Sequence, residues 1–374
     1  MGASKKTRVF IGLGSNMGDR SATLRKAGAL LCLRAGKVLH QSPIYESPSW
    51  GYQSQPFYNT CLLLETHLPP QDLLDCMQNI EKELGRQPKT RSGYEDRPLD
   101  LDLLFYGDLS IATPSLAVPH PQLHLRNFVL QPLVAIAPEY RHPVLQQSLE
   151  TLLQDSPDTA QLKQKYPASW VPQLFDSQKQ FFVIEGNIGS GKTTLTQKLA
   201  AQFEVPALYE NFSDNPHLPA FYENPEAHAL AVETHFMEDR IQAYTNFFAK
   251  GKPPQGAVAD YSFLKSLLFA ELNLNSTDYQ TYKNNFRAQT ASLQAPDVVV
   301  YLHRPTTVLL AQIKARGRSY EQGISAEYLE QIAQQYEAFL AELSCPVVRL
   351  DLGAADFLGE AAVYEQLLVS LMLL

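Results

Sequence analysis

This 374-residue sequence predicts two α/β domains in tandem, the second a doubly wound parallel sheet. Three observations carry the prediction. The chain is longer than one hydrophobic core usually fills. Two segments, RVFIGLGSN at 8–16 and QFFVIEGNIGSGKTT at 180–194, each run from an apolar strand into glycines, as the opening strand of a domain can. Between them, 155–179 carries three prolines among polar residues, the composition of a domain junction. The expected layout is a first domain over 7–160, a linker over 161–179 and a second domain over 180–374.

Each element has its own signal. NTCLLLETH at 59–67 reads as a strand, and QDLLDCMQNIEKELG at 71–85 has the apolar spacing of an amphipathic helix. RPLDLDLLFYG at 97–107 alternates with period two, the mark of a strand. In the second half a helix is expected after Lys192. DVVVYLHR at 297–304 is a short buried strand, and TTVLLAQIKARG at 306–317 and SAEYLEQIAQQYEAFLAEL at 325–343 are helices. Strands alternating with helices point to a parallel sheet.

Hydrophobic residues make up 45% and charged residues 19%, ordinary for a folded protein. The net charge of −8 disfavours nucleic acid or an anionic membrane as partner, so small anionic substrates need locally concentrated Lys and Arg. Cys32, Cys61, Cys76 and Cys345 are scattered without a C-x-x-C pair, which points to a reducing, cytoplasmic setting. No apolar run approaches membrane-spanning length, and no leader segment is expected ahead of the first strand.

Gly186-Asn187-Ile188-Gly189-Ser190-Gly191-Lys192-Thr193 satisfies G-x-x-x-x-G-K-[ST] at each specified position, with Thr194 following. Glycines let backbone N–H groups turn inward around phosphates, Lys192 reaches the β- and γ-phosphates, and the Thr193 hydroxyl can meet Mg²⁺. An apolar strand precedes the loop and a helix N-terminus, which favours anions, follows it. ATP and Mg²⁺ are the expected ligands. A Gly-rich turn with an incidental Lys is the bland alternative, and it explains neither flank.

The acceptor is read from what is scarce. Between Thr194 and Ala259 the only arginine is Arg240, whereas a nucleotide acceptor needs several cations for its phosphate. Tyr209, Glu210, Phe212, Tyr222, Glu233 and Phe236 suit an uncharged hydroxyl carried by a flat ring. With the P-loop, the segments ALYENF, FYENPEAHALAVETHFMEDR and RGRSYEQGISAEYLE resemble the deoxynucleoside kinase family over about 180–345. The resemblance implies a P-loop NTPase fold and Glu210 as general base. It implies Tyr222 and Glu321 on the sugar 3′-hydroxyl, Glu233 reading the base with Arg240 beside it, and Arg316 and Arg318 on the phosphates. It implies a homodimer through this domain. The family's D/E-R-S reads Asp260-Tyr261-Ser262 here, which keeps a carboxylate for Mg²⁺ and lacks the arginine. A carboxylate at 233 only accepts hydrogen bonds and leans toward guanine's two N–H donors. The segment pattern is more similar to bacterial deoxyadenosine kinases. The expected substrate is a purine deoxynucleoside, deoxyadenosine first and deoxyguanosine as the alternative.

In the first half, Asp100 and Asp102 alternate with Leu99, Leu101 and Leu103, which puts both carboxylates on one face of a strand. Adjacent carboxylates repel unless a cation lies between them, so a pair of Mg²⁺ ions holding triphosphate oxygens suits the spacing. In isolation a half-buried amphipathic strand with solvated acids would be the better explanation of the pair. It does not stand in isolation: IGLGSN, QPFYNTCLLLET, IEKELGR, RPLDLDLLFYG and VPHPQLHLRNFVLQPL occur in this order and resemble 6-hydroxymethyl-7,8-dihydropterin pyrophosphokinase over about 7–155. That resemblance implies a ferredoxin-like α+β sandwich. Asp100 and Asp102 would bind Mg²⁺, Asn59 would bond the pterin, and Phe128 with Phe57 would stack on its ring. Glu81, Arg86, Arg97, His120 and Arg126 would line the ATP path, Arg86 and Arg97 offsetting charge as pyrophosphate moves. Tyr94 stands near the place of the family's loop Trp, with Lys89 as a further phosphate contact. Rival readings make one half a regulatory binding module, or the second half a different P-loop small-molecule kinase.

Overall fold

A computed structural model describes residues 6–87, 95–211, 215–318, 321–354 and 360–374, the side chain of Tyr222 excepted. The chain divides into two compact units: Met1–Gln173 with Leu368–Leu374, and Leu174–Leu367.

The first unit runs β1 (Thr7–Ser15), α1 (Arg20–Arg34), β2 (Lys37–Gln41), β3 (Ile44–Ser47), β4 (Phe57–Thr66), α2 (Pro70–Glu83) and β5 (Asp100–Tyr106). A two-stranded ribbon of β6 (Ile111–Ala112) and β7 (Ala117–Val118) follows, then α3 (Asn127–Val134), α4 (Leu149–Gln154) and β8 (Lys163–Tyr166). The sheet is antiparallel in the order β5-β1-β4-β3-β8, with β2 also on β4. This is the ferredoxin-like sandwich. The Asp19 carboxylate accepts from the Ala22 N–H at 2.9 Å and starts α1. The apolar positions of α2 recur at three- and four-residue spacing, and Leu73, Met77 and Ile80 bury that stripe with Leu24 and Leu30 against Val9, Ile11, Leu62, Leu64, Leu101 and Leu103. On the other face α3 and α4 press Leu130, Leu133, Leu149 and Leu152 onto Phe10, Leu63 and Phe105. A central strand covered on both faces loses the need to alternate, which is why CLLL stands in β4.

Two features depart from a plain alternating reading. The β1–β5 register jumps from Ile11↔Leu103 to Phe10↔Phe105, so Leu104 is an extra residue and the strand bulges there. The stretch expected to be a linker is built into the first unit for much of its length. Lys163–Tyr166 pairs with β3, Trp170 and Val171 enter the core, and the Trp170 indole N–H donates to the Ser42 carbonyl at 2.9 Å.

The second unit contains β9 (Phe181–Gly186), α5 (Lys192–Phe203), β10 (Ala207–Leu208), α6 (Leu218–Glu223), α7 (Pro225–Phe247), β11 (Ala257–Ala259), α8 (Lys265–Asn273) and α9 (Ser276–Thr290). It continues with β12 (Val298–His303), α10 (Thr306–Arg316), α11 (Ala326–Ala341) and β13 (Val347–Asp351); α12 (Ala361–Met372) is divided between the two units at Leu367/Leu368. The sheet order is β10-β11-β9-β12-β13, all parallel. The order reverses at β9, so the loop after that strand lies at the crevice where ligands enter such sheets. Phe181, Phe182, Val183 and Ile184 are all buried, as a central parallel strand requires.

Candidate active sites

In the first unit, β-pairing assembles the pocket. Gly14 is opposite Asn59 and Asp100, and Gly12 is opposite Cys61 and Asp102. Residues directly opposite in a sheet share a face, so three strands together offer two glycines, two carboxylates, an amide and a thiol on one floor. All six line a cavity of about 60 Å³. Glycine matters at 14 because a Cβ there would stand 3.2 Å from the Asn59 side-chain oxygen and take up the floor. Asn59 Nδ2 donates to Ser47 Oγ at 2.8 Å, which leaves its oxygen facing the pocket. Phe57, Phe128 and Trp50 form the apolar wall, and the Arg126 guanidinium lies 4.5 Å from the Trp50 ring centroid and 5.7 Å from that of Phe128.

Cations gather on one carboxylate. Asp100 accepts from Arg86 at 2.9 Å and from Arg97 at 2.7 Å, and Arg86 also pairs with Glu81. Glu81 accepts the Leu101 N–H at 2.7 Å, and burial raises its carboxyl above the usual range. Burial and the adjacent Asp100 raise Asp102 to about 7, against the pull of Arg126 and Arg97. A divalent cation between two such oxygens would remove the repulsion that raises Asp102, so the donor set fits Mg²⁺. Burial, then the Arg126 charge, lowers His120 to about 4, which keeps its imidazole neutral. Glu81, Arg86 and His120, expected along the ATP path, are not among the residues that line this cavity. Asn16 clamps the nearby loop, donating to Asp96 at 2.7 Å and accepting the Arg97 N–H at 2.8 Å.

In the second unit the Gly-rich turn opens a cavity of about 450 Å³. A Cβ at Gly186, where φ is +150°, would meet the Leu302 carbonyl at 2.7 Å, so only glycine lets β9 turn so close to β12. Lys192 Nζ donates to the Gly186 and Asn187 carbonyls at 2.9 and 3.0 Å. Burial and Lys265 lower it to about 8, against Glu185, Glu210 and Asp260. Gly189, Ser190, Gly191, Thr193 and Thr194 line the cavity with it, and the Asn187 side-chain oxygen accepts the Ile188 N–H at 2.8 Å. Thr193 Oγ1 donates to Asp260 Oδ2 at 2.5 Å. Burial raises Asp260, and a hydroxyl beside a carboxylate is an oxygen pair suited to Mg²⁺.

Glu210 lies beside that pair, its N–H donating to Asp260 at 2.7 Å. Its carboxylate accepts from Arg240 Nε and Nη2 at 2.9 and 2.7 Å and from Lys265 at 2.6 Å. Burial pushes its pKa up, yet Lys265 and Arg240 outweigh burial and leave it at about 2. Arg240 also donates to Ser266 Oγ at 2.7 Å. The one arginine of 194–259 is thus committed to a protein carboxylate, in keeping with an acceptor that brings no phosphate. Arg316 and Arg318 both pair with Glu321, and the three line the cavity together. Glu233 lines it too, with Phe236 and Phe269. The side chain of Tyr222 lies outside the described residues, as do Lys89, Tyr94 and Phe212.

Sequence reasoning missed several lining groups. Trp50 sits in a loop whose packing no period announces. Tyr261, in the place of the family arginine, is a core residue that accepts the Tyr244 hydroxyl on its carbonyl. Lys265, at the start of α8, joins Arg240 as a second cation on Glu210. Asn273, Tyr328 and Arg304 complete the cavity.

Residues 10–138 match the protein family described as 7,8-dihydro-6-hydroxymethylpterin-pyrophosphokinase, and residues 182–371 the family described as deoxynucleoside kinase. The first half is 44% identical to the 2-amino-4-hydroxy-6-hydroxymethyldihydropteridine pyrophosphokinase of Porphyromonas gingivalis, over 36% of this chain and 93% of that protein. The second is 32% identical to the deoxyguanosine kinase of Bacillus subtilis, over 50% of this chain and 93% of that protein. A solved deoxyadenosine kinase from M. mycoides with bound dCTP aligns with 51% of this chain and 97% of its own, at 23% identity and a TM-score of 0.44.

Proposed function

Since the chain belongs to the dihydropterin pyrophosphokinase family through its first unit and to the deoxynucleoside kinase family through its second, we propose that it carries out both ATP-dependent transfers, each in the pocket described above. In the first, the hydroxymethyl oxygen of the dihydropterin attacks the β-phosphorus of ATP, the bond to the α-phosphate oxygen breaks, and AMP leaves. Asn59 bonds the pterin, Phe57, Phe128 and Trp50 enclose its ring, and Arg97 and Arg126 meet the moving phosphates. Arg86 and Glu81 hold Asp100 and the β5 backbone in place. Asp100 and Asp102 would hold Mg²⁺, which supplies charge neutralisation at the phosphate oxygens when bound.

In the second pocket, the deoxynucleoside 5′-oxygen attacks the γ-phosphorus and ADP leaves. Glu210 receives the hydroxyl proton. Its low basicity fits a loose transition state in which the proton departs late, so that orientation by Arg240 and Lys265 counts for more than proton affinity. Lys192 and the loop amides hold the β- and γ-phosphates, Arg316 and Arg318 close over them, and Thr193 with Asp260 would hold Mg²⁺. Glu321 and Tyr222 take the 3′-hydroxyl. The substrate is a purine deoxynucleoside. Deoxyadenosine is the first reading from the segment pattern, and deoxyguanosine is favoured by the carboxylate at 233 and by the relative's name. We place the protein in the cytoplasm, as a homodimer through the second unit, with no nucleic-acid partner. Among the described residues no helix is long and apolar enough to cross a membrane.

The observation that carries the proposal is that each family's polar set converges on one cavity: Asp100, Asp102 and Arg97 in the first, Lys192, Glu210 and Asp260 in the second. The test uses the full chain with ATP and Mg²⁺. AMP should form with 6-hydroxymethyl-7,8-dihydropterin, and ADP with deoxyadenosine or deoxyguanosine. Preference for thymidine or deoxycytidine would overturn the purine assignment.

A further inference from the structure

At the base-reading corner of the second cavity one buried polar atom is left unsatisfied by the protein. Glu233 is 2% exposed and lines the cavity. Its Oε1 accepts from Asn273 Nδ2 at 2.8 Å, and the Asn273 oxygen in turn faces the Tyr328 hydroxyl at 3.4 Å. The Tyr282 hydroxyl donates to the Glu233 main-chain carbonyl at 3.2 Å. Oε2 is buried and has no hydrogen-bond partner among the described residues. Asn273 presents a donor to Oε1, so any proton that Glu233 carries sits on Oε2.

Among the described residues, the charged and titratable groups that act on Glu233 are Arg240 on α7, Lys265 on α8, Tyr282 on α9, Tyr328 on α11 and Glu210 after β10. Both cations are bonded to Glu210. Burial raises Glu233 to about 7, against the Asn273 hydrogen bond and the attraction of Arg240 and Lys265, with Glu210 adding to the rise. Both protonation states are therefore accessible near neutrality.

The two purines ask for different states. Guanine's Watson–Crick edge offers two adjacent donors, N1–H and the 2-amino group, which match a carboxylate that only accepts. Adenine's edge offers one donor, the 6-amino group, beside an acceptor at N1. A carboxylic acid accepting at Oε1 and donating from Oε2 matches that pair. Resting on the kinase reading of this unit, we propose that Glu233, positioned by Asn273 and Tyr328, selects between the purines by the proton on Oε2: ionised it takes deoxyguanosine, protonated it takes deoxyadenosine. Where Glu233 enters ionised, deoxyadenosine binding takes one proton from solvent. Where it enters protonated, deoxyguanosine binding releases one.

The test measures kcat/KM of the full chain for both purine deoxynucleosides with ATP and Mg²⁺ between roughly pH 6 and 8. Their ratio cancels whatever pH dependence the two reactions share. The deoxyguanosine-to-deoxyadenosine ratio should rise with pH by up to about tenfold per unit. Glu233→Gln, whose amide fixes one donor beside one acceptor, should favour deoxyadenosine with a ratio that no longer changes with pH. Calorimetric titration of the unmutated chain in buffers of different ionisation enthalpy should count proton uptake with deoxyadenosine and release with deoxyguanosine near neutrality. A ratio that stays flat while both substrates turn over, or equal proton counts for the two, overturns the proposal. No turnover of either deoxynucleoside at any pH overturns the kinase reading itself, and the proposal with it.

Discussion

The two pockets bring their polar groups together by opposite means. In the first, the polar groups grow from paired strands: Asp100 and Asp102 are locked in register against Gly14 and Gly12, and their positions can shift only if the sheet does. In the second, the lining groups come from the turn after the central strand β9 and from helix starts, with Arg316 from the last turn of α10 and Arg318 and Glu321 from the segment that follows it. The first therefore has its charges pre-paired within the protein, Asp100 with two arginines. The second has Glu210 pre-paired with Arg240 and Lys265. In one the cations gather on Asp100, a carboxylate of the sheet floor; in the other they gather on Glu210, a carboxylate that follows β10.

The largest effect that could break this contrast is expected from Lys192→Ala. Deoxynucleoside-dependent ADP formation should fall by about 10³-fold or more, while AMP formation with dihydropterin stays within about twofold. A parallel fall in both would show that the pockets are not independent. Asp102→Ala should give the mirror result, an AMP rate lower by about 10²- to 10³-fold with the kinase rate retained. Lys265→Met is expected to reduce kcat for the deoxynucleoside by about 10- to 100-fold with a smaller change in KM, and Lys265→Arg to recover part of it. If Lys265→Met acts on KM alone, the lysine orients nothing at the reacting oxygen. The smallest effect is expected from Trp50→Ala, a rise in dihydropterin KM of about three- to tenfold, measured by the AMP rate at varied pterin.

Legibility in the sequence followed how local each feature is. The P-loop was readable because eight contiguous residues and their flanks set its conformation. Asp100 and Asp102 were readable because a strand's period of two assigns faces without reference to the rest of the chain. The parallel character of the second sheet followed from strands alternating with helices, whereas the sandwich of the first half came from the family resemblance and neither strand order was read. Lys265 was not assigned, because only packing brings the start of α8 against Glu210. Tyr261 belongs to the aromatic cluster with Tyr244, 5.5 Å between ring centroids, so the position that the motif reserves for a cation is dry here. Trp50 and Asn273 depend on contacts far along the chain, which periodicity does not register. The stretch 163–171 read as a junction because its side chains are polar and its strand lies at the sheet edge, where backbone pairing needs no apolar pattern.

The extra residue at Leu104 has a consequence for how β5 can be both wet and greasy on one side. Before it, even-numbered positions bear the carboxylates; after it, the odd-numbered Phe105 turns to that same side and anchors under α3 and α4. The strand behaves as two short rulers of opposite phase joined by one slipped notch. Chemistry at one end and anchorage at the other can then vary separately, since a change of side-chain type in either stretch does not dictate the parity of its neighbour.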